Sequence, residues 1–171
     1  MDQYVALAKN TIEEYVRNGR VYVPSMEELT DEMMTAKAGA FVSIHEHGEL
    51  RGCIGTIEAV RDTLTEEIVS NAISAATRDP RFPPIRVEEL PDLEIGVDIL
   101  HEPEEIGSPD ELDVKRYGVI VQKGWRRGLL LPDLEGVDTV EYQVAIARQK
   151  AGIGQQESGV KLFRFEVVRH E

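Results

Sequence analysis

One stretch of the sequence, Leu50-Arg51-Gly52-Cys53-Ile54-Gly55-Thr56, carries the main information about the fold. Residues 50–54 are predicted to form one strand and residues 41–45 another, and His47-Gly48 lies between the two. A glycine-containing pair in this place is typical of a β-hairpin turn. Glycine inside a strand costs about 0.5–1 kcal/mol relative to alanine, so the two glycines indicate that another backbone or a ligand comes close.

Helices are predicted on both sides of this hairpin, in three stretches whose apolar residues recur every three to four positions: 2–17, 63–77 and 138–151. Capping patterns mark two of their beginnings, Thr63 with Glu66 and Asp138 with Glu141. A similar pattern from Ser25 predicts a short additional helix.

Further strands are predicted where apolar residues alternate with polar ones or form short runs: 93–100, 118–122, 128–131 and 162–168. Residues 101–113, rich in Pro, Glu and Asp, are predicted to form a loop. Strands and helices follow one another in mixed order, without repeated strand-helix-strand units. This order favours an α+β fold with antiparallel sheets and packed helices over a doubly wound one.

Charge and composition restrict the function. The formal net charge of −13 opposes binding to nucleic acids and to anionic membranes. No apolar run reaches the roughly 18–20 residues of a membrane helix, and the first residues lack the basic and apolar parts of a signal peptide. A single cysteine excludes an intramolecular disulfide. We therefore expect a soluble cytoplasmic protein.

Cys53 is a candidate nucleophile. On a regular strand Arg51 and Cys53 leave the same face, and a neighbouring guanidinium favours the thiolate. Four histidines are candidates for its base, and the sequence selects none: His45, His47, His101 and His170. The alternative is a small buried side chain, with Gly52 and Gly55 forming a bulge.

A metal site is the less favoured interpretation of the two neighbouring histidines. His45 and His47 are two residues apart, a spacing that on one strand puts both rings on one face. His47, however, is predicted to lie in the turn, and no third ligand is specified by spacing. We predict no metal site, and the sequence identifies no cofactor.

Two further segments combine charge with rigidity. Residues 78–84 place Asp79, Arg81 and Phe82 directly after a helix, where they either line a cleft or end the helix through an Asp79–arginine ion pair. Residues 122–128 form a basic hairpin tip that either holds an anionic ligand or is an ordinary turn with Trp125 folded back. Local signatures of the common enzyme classes are absent.

The sequence resembles the AMMECR-type domain family, also known as protein A of the AmmeMemoRadiSam system. The strongest match is residues 50–56, which look like the family's signature motif. Matching blocks follow in order along the chain: 79–84, 90–95, 117–121, 127–132 and 150–153. Leu100 to Pro103 and Trp125 depart from the usual family pattern.

The resemblance implies one domain over residues 1–171 with a larger lobe built from both chain ends, a smaller lobe, and a cleft near the signature motif. It also implies association with a dioxygenase-like protein and a radical S-adenosylmethionine protein, and it specifies no reaction.

Three functional hypotheses remain open. In the first, the protein is a ligand-binding accessory component of a modification system, holding a small anionic or peptide ligand. Its binding residues are expected to be Arg51, Gly52, Cys53, Ile54, Gly55, Thr56, Asp79 and Arg81. In the second, Cys53 is the catalytic nucleophile of a thiol enzyme. In the third, the protein is a structural interaction domain whose signature strand only packs the lobes.

Overall fold

A computed structural model describes all residues from 1 to 171 and contains four α-helices and eight strands. The strands form two antiparallel four-stranded sheets. The chain divides into two compact units, the first formed by Met1–Leu100 with Val168–Glu171 and the second by His101–Val167. The predicted α+β class with antiparallel sheets is confirmed. The cleft that the family resemblance implies stays a prediction.

The first unit contains three helices and one sheet. Its helices are α1 (Gln3–Asn18), α2 (Asp31–Thr35) and α3 (Leu64–Thr77). Its strands are β1 (Ala40–Glu46), β2 (Glu49–Gly55) and β3 (Leu93–Leu100), and the last strand of the chain, β8 (Val167–His170), completes the sheet in the order β2-β1-β3-β8.

Capping explains where the helices of the first unit begin and end. The Asp2 carboxylate accepts hydrogen bonds from the backbone N–H groups of Tyr4 and Val5 at the start of α1. Gly19 ends this helix in the left-handed conformation, with a φ of 66°. The Thr63 hydroxyl accepts from the Glu66 N–H at the start of α3, as its predicted cap requires.

The hairpin of β1 and β2 is closed by the predicted turn. His47 and Gly48 both have positive φ, 53° and 80°, as a primed hairpin turn requires. Along the strands, the buried residues of β1 face α1 and α3 and form one core with them, which includes Val42, Ile44 and Ile68. The opposite face of this sheet is called the outer face below.

The second unit has one sheet and one helix. The strands β4 (Glu104–Ile106), β5 (Gly118–Lys123), β6 (Arg126–Leu130) and β7 (Lys161–Phe165) are ordered β4-β7-β5-β6, and α4 (Val140–Ala151) packs on β5 and β6. Gly128 on β6 lies directly under α4: a Cβ added there would be 2.2 Å from the backbone oxygen of Ala147. Only glycine permits this approach of strand and helix.

Three details differ from the sequence-based expectations. Residues 162–168, predicted as one strand, form two, because the chain leaves the sheet of the second unit after Phe165 and joins that of the first at Val167. The predicted loop 101–113 contains the short strand β4, which pairs with β7. Thr139 and not Asp138 caps α4, because its hydroxyl accepts from the N–H of Tyr142.

None of the helices combines the length and the apolar character that crossing a membrane requires.

Candidate functional site

Gly52 confirms the predicted close approach of another backbone. A Cβ added at Gly52 would be 2.3 Å from the backbone oxygen of Ala75, in the last turn of α3. The residue is buried. Its missing side chain therefore brings the edge strand β2 into main-chain contact with the helix, and the neighbour at this glycine is the protein's own backbone.

Gly55 meets an aromatic ring on the outer face. It pairs with Phe41 across the hairpin, and an added Cβ would be 2.2 Å from the Phe41 ring. Cys53 lies on the same face, since it is two residues away on a regular part of the strand. Ile54 points the other way and packs against the core.

A row of small side chains crosses the outer face from Cys53. Cys53 pairs with Ser43 on β1, and Ser43 pairs with Gly96 on β3. The Ser43 hydroxyl lies 3.0 Å from the position of a Cβ built on Gly96. Phe41 and His45 flank Ser43 on β1, so the small side chains of the row lie between two ring side chains. All five residues are half-buried.

Asp79 and Arg81 together cover the free edge of β2 at Cys53. The Asp79 carboxylate accepts the Cys53 N–H at 3.0 Å, and the Arg81 guanidinium donates to the Cys53 carbonyl oxygen at 3.3 Å. The two side chains also form an ion pair of 2.8 Å with each other. They thus replace the neighbouring strand that an edge strand lacks. The predicted ion pair is confirmed.

The charge of Asp79 is stabilised by this arrangement. Its side chain is almost fully buried, while that of Arg81 is 53% exposed. The Arg81 guanidinium holds the pKa of the Asp79 carboxyl well below its usual range, and the Cys53 N–H adds to this effect. Asp79 is therefore ionised throughout the physiological pH range.

Arg51 is held by an acidic pair and not by Cys53. Its guanidinium donates to both Glu89 oxygens, at 2.9 and 3.1 Å, and to the Pro84 carbonyl oxygen at 3.3 Å. Glu46 is 3.8 Å away. The bond to Arg51 lowers the pKa of Glu89 to about 2, whereas burial and the neighbouring Glu89 raise the pKa of Glu46.

A bulge explains why Arg51 is separated from Cys53. Ile44 pairs with Gly52, but the next residue, His45, pairs with Leu50, so Arg51 is the extra residue of β2. The bulge removes the basis for predicting that Arg51 and Cys53 share a face. A bulge formed by Gly52 and Gly55 was the alternative prediction. The observed bulge lies beside Gly52, and the register at Gly55 is regular.

Thr56 belongs to a buried polar network behind the strand. Its hydroxyl donates to the Glu67 carboxylate at 2.8 Å and lies 3.2 Å from the amide nitrogen of Asn71. The other Glu67 oxygen accepts the N–H groups of Val60 and Arg61, at 2.9 and 3.1 Å. Glu67 is 1% exposed, and these bonds compensate for its burial. The network fixes the loop that follows the signature motif.

The histidines differ in how far they are available to Cys53. His170 lies 2.7 Å from Asp2 and stacks on Tyr4, with ring centroids 4.0 Å apart. His47 lies in the turn, 3.8 Å from Asp92. His101 begins the second unit. His45 is the histidine that shares the outer face with Cys53, two residues beyond its partner Ser43.

The two histidines of the metal hypothesis have different surroundings. His45 lies on the strand, whereas His47 forms a cluster with Glu46 and Asp92 in which one ligand atom of each lies within 4.8 Å of the others. The ligand atoms of Glu46, His47 and Asp92 are therefore close enough together to hold a cation. Its members lie at the surface or are half-buried, as unoccupied acidic clusters commonly are.

The basic hairpin tip in the second unit corrects one interpretation. Trp125 is 90% exposed and is not folded back, and Gly124 beside it is in the left-handed conformation of a tight turn, with a φ of 62°. The neighbouring cations are engaged: Arg126 and Lys123 bind Glu157 at 2.8 and 3.2 Å. Arg126 lowers the pKa of Glu157 to about 2.

Sequence reasoning missed several residues of the site. Glu89 and Glu67 lie 38 and 11 positions from their partners Arg51 and Thr56, and no spacing rule connects them. Ser43 had one available signal, since it alternates with apolar residues in a predicted strand and so faces away from the core. The binding and catalytic roles of the predicted site residues stay predictions.

Comparison with known proteins gives consistent matches along the chain. The model of the AMMECR1 family matches residues 5–170. A protein of Thermotoga maritima is 53% identical over 169 residues, which cover 98% of this chain and 97% of that protein. A protein of Clostridium acetobutylicum is 46% identical over 99% of this chain, and the match covers only 36% of that longer protein.

A solved structure shares the fold. The crystal structure of an uncharacterized protein from Pyrococcus horikoshii superimposes with a TM-score of 0.89 at 33% sequence identity, covering 97% of this chain and 88% of that one.

Proposed function

The chain belongs to the AMMECR1 family, and we propose that it is a ligand-binding accessory component of a modification system. The observation that carries the proposal is the row of small side chains on the outer face, formed by Cys53, Ser43 and Gly96 between two ring side chains. Ring side chains beside a few polar groups, here a hydroxyl and a thiol, are typical of small-ligand sites.

The charge available at this site comes from Arg81. Arg51 already has Glu89 as its partner, and its guanidinium is largely buried in that pair. Arg81 is half exposed and lies at the edge of β2 beside Cys53. The proposed ligand is therefore a small anionic molecule or peptide that lies along the row and interacts with the exposed side of the Arg81 guanidinium.

Native mass spectrometry of protein purified from its own cells tests this proposal. We expect the wild-type protein to be heavier than the chain alone by the mass of a bound ligand. The Ser43→Leu variant should lack this additional mass, because the leucine side chain fills the row. Ser158→Leu, in an exposed position of the second unit, is the matched control and should retain the mass. Retention of the mass by Ser43→Leu, or no excess mass in the wild type, contradicts this site.

The proposed setting is a cytoplasmic complex with a dioxygenase-like and a radical S-adenosylmethionine protein. The longer Clostridium relative supports this setting, because most of its length lies outside the match and the matching domain is there joined to another protein region. A single cysteine is compatible with a reducing compartment. Affinity purification of the tagged chain from its own cells should recover both classes of protein. Recovery of neither class would remove this part of the proposal.

A thiol enzyme is the second candidate, favoured by the half-buried position of Cys53 next to the exposed Arg81. Its test is the rate of Cys53 alkylation by iodoacetamide as a function of pH. A nucleophile predicts an apparent pKa below the ~8.5 of an ordinary thiol, and a rise toward that value in Arg81→Ala. Reaction only after unfolding would exclude the enzyme.

A further inference from the structure

The first unit contains a groove that lies apart from the signature strand. Its volume is about 680 Å³, within the range of ligand and peptide sites. One wall is the connection after α1, with Val21 and Val23, and the other is α3, with Val69 and Ile73. Arg61 and Arg78 belong to the lining at the two ends of α3. We call this feature the α3 groove.

The wall after α1 has the properties of an unpaired strand. Val21 and Val23 are 56% and 84% exposed, while the intervening Tyr22 is half-buried and hydrogen-bonded to Glu28 through its hydroxyl. Exposure that alternates from one residue to the next is typical of extended backbone. Val23 is also biased toward the extended conformation because it precedes Pro24. Residues 20–25 belong to no helix or strand, and no hydrogen bond within the chain involves the backbone groups of residues 21–23.

The two arginines of the groove lack carboxylate partners. Arg61 donates to the Ser70 hydroxyl at 3.0 Å, and Arg78 forms no ion pair. Seven other arginines do form ion pairs: Arg51, Arg81, Arg86, Arg116, Arg126, Arg164 and Arg169. In a chain with a net charge of −13, the two guanidinium groups give this apolar depression a local excess of positive charge. Glu66 is the one carboxylate of the lining.

These observations together describe a known mode of peptide recognition. An extended peptide adds to an exposed, unpaired strand, its main chain supplies hydrogen bonds, and pockets hold alternate side chains. The backbone of residues 21–23 offers the hydrogen bonds, and Val69 and Ile73 offer the apolar floor. The basic ends of the groove are complementary to carboxylates.

We infer that the α3 groove is a docking site for an extended peptide segment of a partner protein, with alternating apolar side chains and at least one acidic residue. The main chain of this segment pairs with residues 21–23, and its apolar side chains pack on α3. Its carboxylates bind Arg61 or Arg78. This inference is independent of the proposed ligand site, because the two sites share no residue.

A displayed library of random peptides, selected on the folded chain, tests the inference. We expect the enriched peptides to alternate apolar residues and to carry acidic ones. The consensus peptide should shift the amide resonances of residues 21–23 in two-dimensional NMR spectra. At least one of the two variants Arg61→Ala and Arg78→Ala should weaken its binding about five-fold, as loss of one partly exposed charge-assisted bond predicts.

Matched controls separate docking from general electrostatics. Lys161→Ala removes one exposed cation from the second unit and should leave the affinity unchanged. Methylation of single peptide nitrogens should weaken binding at alternate positions only, because every second N–H of a paired strand points to its partner. This measurement alters the peptide and leaves the protein fold intact.

Three results would overturn the inference. The first is that the library yields basic or helical peptides, or only peptides whose binding does not depend on Arg61 or Arg78. The second is a set of NMR shifts outside the groove. The third is a concentration-dependent dimer that Val23→Glu abolishes, since the groove would then bind a second copy of this chain.

Discussion

Two arginines lie around the signature strand and two line the α3 groove, and their surroundings differ. Around β2, Arg51 binds Glu89 and Arg81 binds Asp79, so each guanidinium has a carboxylate within 2.9 Å. Around the groove, Arg61 and Arg78 have none. Each arginine around the signature motif thus has a carboxylate within the protein, whereas the two arginines of the groove, which no motif marks, have none.

This difference separates stability from recognition. A paired and largely buried arginine contributes to folding, and its removal leaves a carboxylate without its partner. An exposed arginine without a partner contributes little to folding and keeps its charge for binding. Substitutions around β2 should therefore change the free energy of unfolding, and substitutions around the groove should change binding alone.

The largest effect is expected at Gly52. A side chain there collides with the Ala75 carbonyl of α3, which belongs to a backbone that cannot rotate away. Gly52→Ala should lower the free energy of unfolding by about 3 kcal/mol in urea titrations. Gly107→Ala is the control, because its Cβ would meet only a flexible Glu111 side chain at 3.7 Å. Equal stability of the two variants would show that β2 and α3 can separate without cost.

A smaller but substantial loss is expected at Asp79. Asp79→Ala removes the acceptor of the Cys53 N–H and the partner of Arg81, which should cost about 2 kcal/mol. Asp79→Asn keeps an oxygen for Cys53 and should cost less. Glu66→Ala, an exposed carboxylate of the groove, should change stability by less than about 0.5 kcal/mol. A large loss in the Glu66 variant would erase the contrast between the regions.

Acid titration should reveal the pair of Arg51 and Glu89. The pKa of Glu89 falls from 4.5 to about 2 on folding, so its contribution to stability is complete above pH 4.5 and is lost as the pH falls toward 2. The raised pKa of Glu46 acts in the opposite sense, since its contribution is complete below pH 4.5 and is lost as the pH rises through its folded pKa.

The difference between wild type and Glu89→Gln isolates this contribution from the other carboxylates. Between pH 4.5 and 2, the free energy of unfolding should fall less steeply in the variant. Parallel curves for the two proteins would mean that the Arg51 pair does not form in solution.

The smallest effects are expected from the arginines themselves. Arg51→Ala should lower the free energy of unfolding by about 1–2 kcal/mol, because half-buried Glu89 then lies beside Glu46 with only the exposed Arg86, 4.0 Å away, as a cation. Arg61→Ala and Arg78→Ala should stay within about 0.5 kcal/mol of wild type. Thermal unfolding of the three variants under identical conditions compares them directly, and similar losses in all three would contradict the division.

The sequence predicted the local elements well, because their causes are local. The helix beginning at Thr63, the turn at His47 and Gly48, and the close approach at Gly52 all follow from neighbouring residues and their conformational preferences. The Asp79 ion pair was also accessible, since its partner lies two positions away.

The rest depended on distant contacts. Arg51 was assigned to Cys53 by strand alternation, but one extra residue in the register directs it to Glu89, 38 positions away. The α3 groove combines the connection after α1 with two ends of α3, and no segment alone carries its pattern. Long-range pairing and grooves between segments arise from tertiary packing, which hydrophobic periodicity does not encode.

In each unit a strand glycine lies against the main chain of a helix, Gly52 beneath Ala75 and Gly128 beneath Ala147. In a saturation mutagenesis screen, both codons should tolerate no replacement, including alanine, while neighbouring codons accept several. Two such intolerant codons, far apart in the gene, would reveal the packing of a helix on a sheet in both units from genetic data alone.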